Sequence, residues 1–320
     1  MAIDTHYRQM FSDNVKELAG SPQRSLYKGL CSQEAKQGEL IWLDSYAPTK
    51  TARSTAIAST KTRKRLEDAG SPDLADWVAL KTPHMEITRQ RTQLSATCVD
   101  WGHHFDSETK LLEILDPQSR IMRACMKDIW IAEDALVRAA LAAATVTRGK
   151  QGATSSVAFP ATQQLTIDKT ASPAGSVTKD IFAEIKKLFE TQYYTGRILV
   201  AVSPLFKQEL IENSGDKIHS SDFVDGRRYF ETGELPDIYG CSVLVDPGLT
   251  IDGDTGEEPF YAWAMEGLVW NQFAPLLTRL GEDPGERFHA IAYAEEYAGC
   301  VRVDDNLVVQ GTVKRGEDEY

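Results

Sequence analysis

Apolar and polar positions fall into three regimes along this chain. From Asp116 to Thr147 the sequence DPQSRIMRACMKDIWIAEDALVRAALAAATVT repeats its apolar residues every three or four positions: Ile121, Cys125, Ile129, Ala132, Leu136, Ala140 and Ala143. That spacing predicts one long helix over 117–147, with Asp116 as N-cap and Pro117 in the first turn, where a missing N–H costs nothing. At 1.5 Å per residue such a helix would span roughly 46 Å. A charged stripe, Arg120, Arg123, Lys127, Asp134 and Arg138, runs beside the apolar one, and Asp134 precedes Arg138 by four residues in the favourable order for a surface pair. Alternation replaces this period in ELIWLDSYA (39–47), and again from His84, where Met85, Ile87, Arg89 and Arg91 recur at every second position, as in a two-sided ribbon. These two limbs flank a polar span rich in Ser, Thr and Ala, and the whole reads as an extended hairpin that would draw stability from a partner. A flexible lid over an active site is the other reading of the same pattern.

The third regime begins near Thr178. Ile181, Ile185, Leu188 and Phe189 share one face of a helix over 178–192 that Gly196 would end. RILVAVS (197–203) is a continuous apolar run of the kind a strand buried on both faces shows, and Ser203-Pro204 caps a helix over 205–212. With CSVLVD (241–246) this makes a compact α/β block. The chain then returns to strands, RFHAIAYAEEYAGCVRV and LVVQGTVK, around a turn at Asp304-Asp305-Asn306. Before all of this, Phe11, Val15 and Leu18 mark a short amphipathic arm that Gly20 and Pro22 terminate.

Composition narrows the function. The 320 residues carry a formal net charge of −12, and between Asp252 and Glu296 the acidic side chains are opposed only by Arg279 and Arg287. A surface that grips phosphate backbones needs a basic patch, so tight, sequence-independent DNA binding is not expected. The 5 cysteines are scattered, with no C-x-x-C pair, which argues for neither a disulfide framework nor a zinc site. No apolar run is long enough to span a bilayer, and MAIDTHYRQM lacks the pattern of a secretory signal, so synthesis in the cytoplasm is expected.

Candidate chemistry is thin. His103 and His104 stand near Cys98 and Asp106, but adjacent residues on a strand point to opposite faces and cannot easily share one ion. The loop from Asp252 to Glu258 resembles a calcium loop without its glycine at the sixth position, and its twelfth position is Trp263. Nucleophile-elbow, phosphate-loop, dinucleotide and zinc-protease motifs are absent. No catalytic residue, metal ligand or cofactor is therefore assigned. The basic cluster Lys61, Arg63, Lys64 and Arg65 suits the rim of a protein interface.

Several stretches, taken in order, resemble one branch of the major capsid proteins of tailed bacteriophages. They are MFSDNVKELA (10–19), Thr82-Pro83-His84 followed by Arg89 and Arg91, LLEILDPQSR (111–120), and the glycine-framed stretch from Gly233 to Gly240 that opens a strand. Gly299 and Val308-Val309 in the return strands complete the set. The resemblance implies an α+β protein of the Hong Kong phage capsid fold. Its expected parts are an N-terminal arm (1–38), an extended β-hairpin or E-loop (39–95), a peripheral domain (96–176) with its spine helix at 117–147, an α/β axial domain (177–276) and peripheral return strands (277–320). It further implies a structural protein that self-assembles into hexamers and pentamers of an icosahedral shell around double-stranded DNA held only by loose containment. A portal and a cement or decoration protein are the other partners it implies, and no membrane. Only some thirty residues precede the fold, which implies a scaffolding protein on a separate chain. Inter-subunit contacts are expected at Lys61, Arg63, Lys64, Arg65, Trp77, Arg89 and Arg91, with the basic cluster meeting the acidic 252–296 region of a neighbour. The spine's charged stripe is expected to face the inner surface or a neighbour. An encapsulin-type protein compartment of the same fold and a cytoplasmic α/β enzyme with a long lid are the alternatives.

Overall fold

The computed structural model describes residues 9–11, 13, 25–46, 89–105, 120–150, 153–170, 177–213, 235, 237–282 and 290–315, apart from a few side chains at element ends. The hairpin tip with Lys61, Arg63, Lys64, Arg65 and Trp77, the helix start at Asp116-Pro117, and Gly233 lie outside them.

Among the described residues, three sheets surround one long helix. The first is four-stranded, in the order β1 (Ser32–Glu34), β11 (Leu268–Glu282), β12 (Ala290–Arg302), β4 (Thr97–Phe105). The second is five-stranded: β7 (Gln164–Asp168), β13 (Val308–Lys314), β10 (Glu257–Ala264), β8 (Ile198–Val202), β9 (Cys241–Val245). The third joins β2 (Leu40–Tyr46), β3 (Arg89–Ser95), β5 (Thr145–Lys150) and β6 (Ala153–Ala158). Helix α1 (Arg120–Ala142) crosses between sheets, while α2 (Asp180–Thr191) and α3 (Pro204–Asn213) belong to the five-stranded block.

Burial follows the residue pattern. Every residue of β8 is buried because both faces of its sheet are covered. Ile198, Val200 and Val202 join Phe182, Ile185, Phe189 and Phe206 of α2 and α3 on one face. Leu199 and Ala201 join Val137 and Leu141 of α1 on the other. The N-terminal half of α1 packs Cys125, Met126 and Ile129 against Val99, Ala292 and Ala294 of the four-stranded sheet, with Phe11 of the arm in the same cluster. Alanines on β12 let the helix approach closely. Ser203 caps α3 as expected, its hydroxyl accepting from the Phe206 amide at 2.9 Å.

The hairpin limbs pair antiparallel from Leu40↔Ser95 to Tyr46↔Arg89. They do not stand alone. Strand β3 also pairs with β5, and Ile41, Leu43 and Leu94 are buried against Val269 and Phe273, so the base is packed within its own subunit.

The structure corrects three expectations. The long helix ends at Ala142, not Thr147, because Thr145-Val146-Thr147 is a β-branched run that pairs as β5. Helix α2 is stopped by Tyr193 rather than Gly196. Tyr193 takes φ +61°, and the amides of Tyr193 and Tyr194 bond back to Glu190 and Phe189, the pattern a glycine usually makes. A boundary at 276/277 falls inside β11, and β13 lies in the five-stranded sheet with β8 and β10 rather than in the sheet of β11 and β12. Residues 25–38 are tied to the rest of the fold: β1 pairs with β11, and the Asn271 amide bonds both the N–H and the carbonyl of Lys36.

One glycine is fixed by packing. The Phe260 ring lies over Gly311, directly opposite in register, where an added Cβ would sit 2.0 Å from it. Gly311→Ala should lower the unfolding free energy of the subunit by about 1–3 kcal/mol through overpacking. Urea denaturation of the unassembled protein measures this, and a shift below a few tenths would show that the ring can move aside.

Candidate functional site: ionic anchors around the long helix

Glu133 and Asp134 sit side by side on α1, 2% and 6% exposed. Two buried carboxylates on one turn must find partners, because an uncompensated buried charge is costly. Both find them in the N-terminal segment. Asp134 accepts hydrogen bonds from the Ser25 hydroxyl, the Leu26 amide (3.1 Å) and the Tyr27 amide (3.2 Å). This is an anion nest made of successive backbone N–H groups. Burial raises the Asp134 pKa, and those three donors hold it back.

Lys28 bonds Glu133 and also reaches Glu296 at 3.3 Å, while its ammonium lies 5.3 Å from the Trp270 ring centroid. Glu296 occupies the place of an alanine in the β12 row Ala292, Ala294, Ala298, so it faces α1, and Gln272 donates to it at 2.9 Å. One ammonium thus serves two buried carboxylates. Burial pushes Glu133 up to about 7; Lys28 offsets part of this, and Glu296 adds to it. Burial works against the charged form of Lys28, but Glu133 and Glu296 outweigh it and its pKa is raised.

A second anchor lies one turn on. Arg138 donates to both oxygens of Asp246, at 2.9 and 3.1 Å, just beyond β9. Asp246 also accepts from the Tyr27 hydroxyl at 2.5 Å and the Gly248 amide at 2.8 Å. Tyr27 packs against Trp263, whose indole N–H reaches the Leu30 carbonyl at 3.1 Å. The third anchor closes the helix. Arg302, 0% exposed, donates from Nη1 to the carbonyls of Ala140, Leu141 and Ala143, and from Nε to Asp305 at 3.1 Å. Gln310 adds a 2.6 Å bond to the Leu141 carbonyl, and Arg148 bonds Asp305 at 2.8 Å. Side chains of β12 and β13 do what a C-terminal glycine would otherwise do.

The charged stripe of α1 is therefore split. Arg123 and Lys127 are exposed, whereas Asp134 turns inward to the N-terminal segment and Arg138 to Asp246, so the expected Asp134–Arg138 pair does not form. The side chain of Arg120 lies outside the described residues. Arg91 pairs with Asp44 across the hairpin base at 3.0 Å, an exposed pair of small energetic weight. Arg89 is placed only by its backbone, opposite Tyr46. Gly240, at φ +78°, with Tyr239 at +52°, makes the turn into β9. His103 and His104 are exposed on edge strand β4, and His103 stacks on Trp101. No group of three or more metal-ligating side chains occurs among the described residues. Glu133, Glu296, Asp246 and Arg302 went unnoticed as functional candidates, although a charged residue inside an otherwise apolar period marks the first two.

Comparison with known proteins follows the fold. A family described as phage capsid protein matches residues 3–314. No curated protein matches the sequence. Among solved structures, that of Mycobacterium phage Che8 is similar over 90% of this chain and 91% of its own, with 13% identity and a TM-score of 0.59. The capsid of cyanophage P-SCSP1u is similar over 92% and 90%, with 10% identity and a TM-score of 0.62. A virus-like particle from Pyrococcus furiosus is similar over 95% and 97%, with 9% identity and a TM-score of 0.51.

The Glu133 site sets a pH dependence. A carboxylate whose folded pKa is raised contributes stability that is complete below its unfolded pKa, near 4.5, and is lost as pH rises through about 7. The folded subunit as a whole should thus lose stability between these limits as pH rises, because burial opposes the ionised Glu133 by more than Lys28 repays. Glu133→Gln keeps the shape and removes the titration. The thermal midpoint of the parent should fall over this window relative to that of the variant, and parallel curves would exclude the assignment.

Proposed function

The chain belongs to the phage capsid protein family, it is a structural major capsid protein of an icosahedral virion shell, and we propose that its copies join as hexamers and pentamers through the hairpin and the α/β block. The observation that carries this reading is the family match from residue 3 to residue 314, on a fold whose long helix is anchored at three places. Such a subunit moves as a stiff body, and its edges make the varied contacts that a closed lattice needs. The acidic balance of −12 supports a container that holds double-stranded DNA loosely, since close binding of phosphates would require the opposite charge.

In this reading, the hairpin base (β2–β3) and the tip beyond it form the E-loop, and α1 is the spine. Lys61, Arg63, Lys64, Arg65, Trp77, Arg89 and Arg91 contact a neighbour, with the basic cluster set against the acidic 252–296 region. Arg120, Arg123 and Lys127 face the inner surface, and the turn framed by Gly233 and Gly240 belongs to the axial part. Assembly takes place in the host cytoplasm with a scaffolding protein and a portal. The subunit performs no catalysis. The encapsulin alternative shares the fold, as the likeness to the Pyrococcus particle illustrates, but the family match favours the phage shell.

Negative-stain microscopy of the purified protein under assembly conditions tests the main point. Closed shells are expected, and their contents separate the two containers: DNA for a virion, protein cargo for a compartment. A uniform population of small oligomers would count against both. Changing Lys61, Arg63, Lys64 and Arg65 together to Glu should leave the subunit soluble and abolish shells; normal shells from that variant would remove the cluster from the interface.

A further inference from the structure

The sheet at the hairpin base ends in two strand edges that no described strand pairs, β2 on one side and β6 on the other. Such an edge is a row of N–H and C=O groups ready to take another strand, and folded proteins usually guard it with lysine, proline or extreme shortness. Strand β6, ATSSVA, has none of these guards. Thr154, Ser155, Ser156 and Ala158 are exposed, so the strand is open on both faces. By contrast, edge strand β4 carries Asp100, His103 and His104, and β1 is only 3 residues long. At the other edge of the same sheet, β2 leaves Leu40 46% exposed and Trp42 half-buried.

The two edges fit each other. The pairings β2–β3, β3–β5 and β5–β6 are all antiparallel, so β2 and β6 run in opposite directions. A second copy of the sheet, set with its β2 beside β6, therefore continues the antiparallel order without a break. Faces match as well. Ile41, Leu43, Leu94 and Val146 are buried on one face, and Val146 stands opposite Val157, so Thr154, Ser156 and Ala158 lie on the other. Leu40 and Trp42 share that open face, where the Trp42 ring rests against Gly149. Continuation sets Leu40 beside the small side chains of β6. The lengths, 7 and 6 residues, agree. Pairing of β6 with β6 of another copy would end in a dimer, whereas a head-to-tail contact between unlike edges closes into a ring.

Resting on the reading that copies of this chain form hexamers and pentamers, we propose that the outer edge of β6 takes up β2 of a neighbouring copy, joining the hairpin-base sheets into one antiparallel sheet around the ring. Backbone hydrogen bonds carry this contact, and Leu40 of the incoming strand is covered by the small residues of β6. Adjacent strands accept a range of relative twist, so the same pairing serves rings of five and of six.

Amide hydrogen exchange on the full-length protein tests this, read on the segments 40–46 and 153–158. In unassembled subunits the outward amides of both strands should exchange fast, and in shells both sets should slow by roughly tenfold or more. Unchanged exchange in 153–158 would overturn the site, and protection of 153–158 without 40–46 would overturn the occupant. Proline gives an independent check. Successive amides of a strand point to opposite edges, so one of Ser155→Pro and Ser156→Pro removes a bond to β5 and the other only an outward donor. The variant that keeps the parent's thermal midpoint should form about tenfold fewer shells, and a parent-like yield from it would overturn the proposal; if both lose stability, exchange decides alone. If the parent forms no shells at all, the assembly reading fails separately. The peptide acetyl-ELIWLDSYA-amide, with the sequence of 39–47, then decides the edge: added to unassembled subunits it should slow exchange in 153–158, and no slowing would overturn the proposal.

Discussion

Two adjacent carboxylates in the middle of a buried helix face constrain this fold more than any apolar contact. Glu133 and Asp134 stay inside only if donors come to them, and the donors come from a segment more than a hundred residues earlier in the chain. The nest at Ser25–Tyr27 and the Lys28 ammonium are therefore set by α1. In turn, they place Tyr27 beside Asp246 and Leu30 under Trp263. Once residues 25–31 are fixed, β1 is led to its parallel place beside β11. The path of the N-terminal chain follows from the charge on a helix it does not adjoin in sequence.

Ionic anchors of this kind add little net stability. Desolvation nearly cancels attraction, and apolar residues of equal volume often do as well. What they add is position. A turn of one residue about the helix axis moves a side chain by about 100°. That shift would leave Glu133, Asp134 and Arg138 without partners and Arg302 without its carbonyls. Apolar packing alone is more forgiving, especially along the alanine-rich face, where small side chains define a register poorly. The anchors stand where the packing is least specific: Arg138 and Arg302 bracket the alanine-rich half, and Lys28 bridges to the alanine row of β12.

Much of the local structure was legible in the sequence because it depends on periods and caps. The run ILVAV, the Ser203-Pro204 cap and the two alternating limbs each carry their signal within a few residues. The end of α1 is different. Its alanines propagate a helix well, and β-branched Thr145 and Val146 are only mildly opposed to one, so the stop depends on strand pairing and on a guanidinium from β12. The charged stripe misled for a related reason. Spacing of three and four residues places charges on a face but cannot say whether that face is wet, and here a distant segment covers Asp134. The sequence of β13 records alternation but not its neighbours, β10 and β7.

The consequence for a shell lies in how the anchors meet the hairpin. Strand β3, the hairpin's return limb, is hydrogen-bonded to β5, and β5 begins three residues after α1 ends. A displacement of β3 would therefore arrive within a few residues of the carbonyls that Arg302 holds. From there it can pass along α1 to Arg138 and the α/β block, or to Glu133 and the N-terminal segment. A short connection between β3 and a clamped helix end transmits displacement with little loss, since few free dihedrals intervene. The same geometry explains why the clamp is a buried guanidinium and not a solvent-exposed cap. Water would compete for the carbonyls at an exposed helix end, whereas Arg302, under the Phe159 ring at 4.6 Å, is shielded from it.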